Sequence, residues 1–260
     1  ITRKSCPPIV GSAYQVSEIA EVGQQEKMTA YKKKNEVSRF KEYFLKRMKN
    51  MLPSTFGFVE ISGLFYGFSL IGRTLSSGFL YRSKQKNKNS FEKIAAPKIQ
   101  CTGNHTEDIP LADKVAIVKS AFDLTGWKNF APLVIFAGHG SHTANNPFGS
   151  SLDCGACAAS PGRHNARMLA KLANLNEVRE VLSKEHHLTI PSHTVFIGAE
   201  HNTTTDEIEI FDTAVPDSHQ QKLQELKNSL KIAQETATKD RLGVENSVSL
   251  AEKKANEWGE

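Results

Sequence analysis

Apolar residues recur at helical spacing in some stretches of the chain and form short unbroken runs in others. Residues 24–52 carry Phe40, Phe44, Met48 and Met51 or Leu52 in helical register, and Pro53 is expected to end that helix. Residues 56–81 are apolar and punctuated by glycine, which predicts a second helix. Its richest part, 56–71, contains Glu60 and three glycines and falls short of the ~20 residues a bilayer span needs. A third helix is expected over 110–125, with Leu111, Val115, Val118 and Phe122 on one face and Gly126 at its end. The run Leu133-Val134-Ile135-Phe136-Ala137, bounded by Pro132 and Gly138, reads as a strand buried on both faces. Helices at 161–173 and 175–185 follow, carrying Leu169, Leu172, Val178, Val181 and Leu182, with Ser160 and Pro161 opening the first. The run 194–199 is a second strand, and 207–212 alternates as a strand with one wet face. Residues 218–241 and 248–258 read as further helices, the second capped by Ser247.

Strand, loop, helices and strand in that order define an α/β unit whose strands run parallel. The expected fold class is α/β, a mainly parallel sheet flanked by helical segments. Three regions follow: a basic, mostly helical 1–108, an α/β core at 109–216, and a helical 217–260. Residues 1–23 read as irregular and 82–108 as a polar surface loop.

The net charge of +5 is concentrated in one place. Residues 27–49 hold nine basic residues, Lys27, Lys32, Lys33, Lys34, Arg39, Lys41, Lys46, Arg47 and Lys49, against Glu36 and Glu42. A solvated helix face is the plain reading; an anionic membrane surface or nucleic acid is the alternative. No base-stacking or groove-reading motif accompanies the run, so no nucleic-acid partner is expected. The apolar 56–71 stretch reads as core, with a partner or membrane contact as the alternative. Four cysteines, Cys6, Cys101, Cys154 and Cys157, are too few for a disulfide framework at this length. No charged segment followed by a short apolar one marks a signal peptide.

The chemistry gathers between residues 138 and 167. Gly138-His139-Gly140 closes the first strand with glycines suited to a sharp turn or a close approach. A polar loop through Asn145, Asn146, Pro147 and Gly149 leads to Cys154-Gly155-Ala156-Cys157, just before a helix that carries Arg163, His164 and Arg167. Ligands in open α/β sheets bind outside the carboxyl ends of strands, which is where His139 is expected. His139 and Cys154 lie 154 − 139 = 15 residues apart. Imidazole and thiolate together suit zinc, although two donors do not make a site. Three other readings stay open: thiol redox chemistry at Cys154-x-x-Cys157, an anion held at the helix start near Arg163 or Arg167, and a non-catalytic scaffold. His201, beyond the second strand, is expected in the same crevice as His139 or as a hydrogen-bonded loop histidine. Cys101 and His105 are four residues apart, in a polar setting that reads as loop rather than metal site.

The segments GHGS, NNP, LDCGAC, GRHNAR and AEHNTTTDEIEIFD, in that order, resemble the DabA family of probable inorganic carbon transporter subunits. The resemblance extends more weakly to Cys6-Pro7-Pro8 and to Asn256-Glu257-Trp258, and so covers the whole chain. It implies a β-carbonic-anhydrase-like zinc core that hydrates CO2 to bicarbonate. It implies an integral membrane partner, DabB, that couples the reaction to cation translocation, and a peripheral position on the cytoplasmic face of the bacterial inner membrane. The family's zinc shell is Cys, Asp, His, Cys; His139 and Cys154 match the last two. The first two belong to a Cys-x-Asp motif that does not occur in this sequence. The chain therefore reads as an internal piece of a longer protein, with Zn2+ chemistry expected only in the complete one.

Overall fold

A computed structural model describes residues 14–20, 25–50, 52–75, 95–101, 109–141, 161–211 and 215–243. The chain divides into two units, one built on Ile19–Ala96 and the other on Thr2–Glu18 with Pro97–Gly259. Strands β1 (Tyr14–Ala20) and β2 (Ala95–Cys101) form a two-stranded sheet. The sequence reads both as irregular or loop: β1 is short and flanked by glycine, and β2 carries Pro97, which weakens its strand signal.

The first unit contains helices α1 (Gln25–Asn50) and α2 (Leu52–Leu75), which pack on each other. α1 ends at Asn50, shortly before Pro53, as the proline's missing N–H leads one to expect. Pro53 sits in the first turn of α2, where a missing N–H costs nothing because those donors have no partner within the helix.

The second unit is a three-stranded sheet with helices on both faces. Its strands are β3 (Leu133–Gly140), β4 (Val195–Asn202) and β5 (Ile208–Phe211), in the order β3-β4-β5. β3 and β4 are parallel, as the pattern of runs suggested, and β5 joins antiparallel to β4. Helices α3 (Leu111–Thr125), α4 (Arg163–Ala173) and α5 (Asn176–His186) cover one face. A 3-10 turn, Asp217–His219, leads into α6 (Gln220–Leu242), which packs on the other face through Leu223 and Leu226.

Strand alternation explains the two cores. Val134, Phe136 and Phe196 face α3–α5, where Phe136 stacks on Phe196 at 5.5 Å between ring centroids and Phe122 meets both rings. Leu133, Ile135, Val195 and Ile197 face Val215 and Leu223 on the opposite side. On α3 the buried stripe is Val115, Ile117, Val118, Ala121 and Phe122, while Leu111 in the first turn is 38% exposed. Gly126 ends α3 in the left-handed conformation, φ 68°, and its N–H returns to the carbonyls of Phe122 and Asp123.

β5 reaches β4 only from Gly198 onward. Ahead of that point the Asn174 side chain takes the place of a strand. Its amide donates to the Phe196 carbonyl at 2.7 Å and its oxygen accepts from the Phe196 N–H at 3.0 Å. Arg179 holds Asn174 in place, donating to Asn174 Oδ1 at 2.9 Å and to the carbonyls of Ala173 and Thr194 at 2.8 Å each. Burial lowers the Arg179 pKa from its ordinary value. These acceptors offset the loss of water around the guanidinium.

Candidate functional site

The carboxyl ends of β3 and β4 form one edge. In the parallel register His139 faces His201 and Gly140 faces Asn202, so the two histidines stand side by side on one sheet face. His139 is exposed and His201 partly so. Both lie within their strands rather than in turns beyond them. By alternation they lie on the face that α6 covers, whereas Glu200 lies on the α4 face.

The glycines of Gly138-His139-Gly140 admit neighbours at close range rather than making a turn. A Cβ on Gly138 would overlap the Gly162 carbonyl and come within 2.7 Å of the Arg163 nitrogen. One on Gly140 would overlap the Glu200 carboxylate. On β4, a Cβ on Gly198 would lie 2.6 Å from Arg167 Cα. Helix α4 thus begins pressed directly on the strand that carries His139. The main chain is tied there: Gly162 N–H donates to the His139 carbonyl at 2.8 Å, and Thr203 N–H to the Gly140 carbonyl at 2.9 Å.

Beneath this edge Arg163 Nη1 donates to Glu200 Oε2 at 3.0 Å, with both side chains buried. Arg167, also buried, places its guanidinium 4.7 Å from the centre of the Phe211 ring. The arginines considered for anion binding are thus engaged inside the fold, Arg163 by a carboxylate and Arg167 by an aromatic ring. Glu200 was read as part of a polar turn; it is the last fully buried residue of β4 before His201.

Beyond β4 the chain turns through Thr203–Asp206 against α6. Asp206 adopts φ 57°, a left-handed conformation that aspartate tolerates better than most residues. Its carboxylate accepts from Arg241 Nε at 2.9 Å and Thr238 Oγ1 at 3.1 Å, and lies 3.9 Å from His201 Nε2. Arg241 Nη2 also donates to the Thr204 carbonyl at 2.8 Å. The role of α6 in setting this turn left no local signal in the sequence, since its residues lie more than thirty positions away.

Among the described residues, no three His, Cys, Asp or Glu side chains converge as metal donors. His139 contributes an accessible imidazole, a donor type that suits zinc. Cys154, Cys157, His105, Ser160 and the segment 248–258 expected to be helical lie outside the described residues, as do all of residues 142–160 between β3 and α4. Cys101 ends β2 rather than lying in a loop. No helix among the described residues is long and apolar enough to cross a membrane.

The second unit is an α/β unit with two of its histidines, His139 and His201, at the carboxyl edge of a parallel strand pair. The family described as "Probable inorganic carbon transporter subunit DabA" matches residues 1–260, and the chain belongs to that family. Relatives bearing that name are 38% identical in Natronomonas pharaonis, covering 100% of this chain, and 35% identical in Haloarcula marismortui, covering 98%. A third, from Salinibacter ruber, is 36% identical over 99% of the chain. The chain spans about a third of the length of these curated relatives: 33%, 33% and 34%. No solved structure matches.

Proposed function

We propose that this chain is the part of an inorganic carbon transporter subunit that contributes two zinc donors, His139 and Cys154, to a carbon dioxide hydration centre. The observation that carries the reading is the placement of His139. It is exposed at the carboxyl edge of a parallel strand pair, in a chain that matches the DabA family from end to end. Cys154 follows fifteen residues later in the sequence, so on this reading one stretch of chain carries both donors. A Cys-x-Asp pair elsewhere in the longer polypeptide completes the shell, and the whole forms a β-carbonic-anhydrase-like core.

Zinc bound there would bring the pKa of a coordinated water to about 7 and so provide hydroxide at neutral pH. The chain's own residues hold the edge rigid. The Gly138–Gly162 approach fixes where α4 begins against β3. The Arg163–Glu200 pair sits under the strands, and the turn anchored by Arg241 sets His201 beside His139. A DabB-type integral membrane subunit on the cytoplasmic face of the inner membrane would couple hydration to cation flow and make it directional.

The test is carbon uptake by the full-length subunit in cells that depend on it for growth in air. Cys154→Ser abolishes growth on this reading, and Cys157→Ala leaves most of it. Equal loss in both would point instead to thiol redox chemistry at the Cys-x-x-Cys. Normal growth with Cys154→Ser would exclude this centre as the working one.

A further inference from the structure

The first unit presents a surface that the zinc chemistry does not use. On α1, Lys33, Val37, Phe40, Phe44 and Arg47 follow helical spacing and fall on one side of the helix. All five are exposed. The Phe40 and Phe44 rings stack with centroids 6.3 Å apart, and Arg47 donates to the Tyr43 hydroxyl at 3.1 Å. An aromatic stripe is therefore bracketed by cations at both ends, and Lys32 and Lys34 extend the charge around the helix. On α2, packed beside it, Phe56 is 82% exposed and Phe65 72%. Exposed apolar surface of this extent marks a site of association.

We infer that the α1–α2 hairpin docks on an anionic lipid bilayer, with the phenylalanine rings at the boundary between headgroups and acyl chains and the α1 lysines on lipid phosphates. Charge decides between occupants. Residues 27–49 hold nine cations against two carboxylates. A protein surface covering this helix would have to provide a matching set of buried carboxylates, each desolvated. An anionic leaflet provides that charge without burying it, and each lysine or arginine near such a surface adds to the attraction. Phenylalanine rings on the apolar side of an interfacial helix bury at the boundary between headgroups and acyl chains. The hairpin lies on the bilayer and does not cross it, in keeping with the absence of a spanning helix among the described residues.

The experiment is sedimentation of the purified full-length subunit with vesicles of phosphatidylcholine alone or mixed with phosphatidylglycerol. The subunit pellets with the mixed vesicles, and raised salt weakens the binding. Replacing Lys32, Lys33 and Lys34 together by Gln lowers partitioning about a hundredfold. Phe40→Ser with Phe44→Ser lowers it at both low and high salt, which charge alone does not predict. Equal binding to neutral vesicles, or lysine and phenylalanine variants that bind like the parent, overturns the inference. So does protection of Lys32–Lys34 from an amine-acylating reagent in the full-length subunit without lipid, because a protein surface then covers the hairpin.

Discussion

Arg163 and Glu200 form an ion pair at 3.0 Å with only 3% and 2% of their side chains exposed, joining the first turn of α4 to the buried position of β4 just before His201. The two residues are 37 positions apart in sequence. The pair locks the start of α4 to the strand that carries His201.

Removing one partner breaks a buried ion pair and takes from the other its contact across the α4–β4 seam. Glu200→Gln is therefore expected to destabilise the second unit by about 3–5 kcal/mol. The double variant Arg163→Met, Glu200→Gln should cost less than the two single changes summed. Denaturant unfolding of the full-length protein and its variants checks this; strictly additive losses would mean that the pair contributes no coupling.

Gly138→Ala tests the close approach of α4 to β3. The added methyl meets the main chain of Gly162 and Arg163 rather than a side chain that could swing away. Overpacking of this kind costs about 1–3 kcal/mol or more, and α4 must move off the strand. Faster amide exchange in α4 with little change in α6 is the expected signature. Gly126→Ala is a useful contrast: there is open space at that position, so any loss comes from its φ of 68° alone.

The turn beside His201 depends on α6 through Asp206. Asp206→Ala removes the acceptor for Arg241 and Thr238 and puts alanine at φ 57°. A loss of about 1–3 kcal/mol is expected from the hydrogen bonds alone. Asp206→Asn, which tolerates the conformation and keeps one oxygen acceptor, should lose less. Thermal unfolding of both variants measures the difference; equal losses would assign the effect to charge rather than to conformation.

The elements with strong periodicity were legible in the sequence: α3, the buried runs of β3 and β4, their parallel order, and α6 with Leu223 and Leu226 inward. A buried run is written in consecutive residues, and hydrophobic burial needs no distant partner to be read. What stayed hidden depends on pairing across the chain. Glu200 reads as solvent-facing until Arg163 is known to sit opposite it. Asn174 gives no sign that its amide stands in for a strand beside Phe196. Gly138 and Gly140 signalled special backbone needs correctly, but close packing and a turn leave the same mark in sequence. Of the two proposed zinc donors, His139 was expected at a strand end and lies there, in register with His201. Cys154 lies outside the described residues.

The central claim is that His139 is a zinc donor, and zinc content of the purified full-length protein tests it most directly. The account predicts about one zinc per chain in the parent, as for a single protein-held centre. After chelator dialysis His139→Ala should retain far less, while His201→Ala should retain the parent level because that ring is a neighbour and not a donor. Stoichiometric zinc retained by His139→Ala would contradict the account.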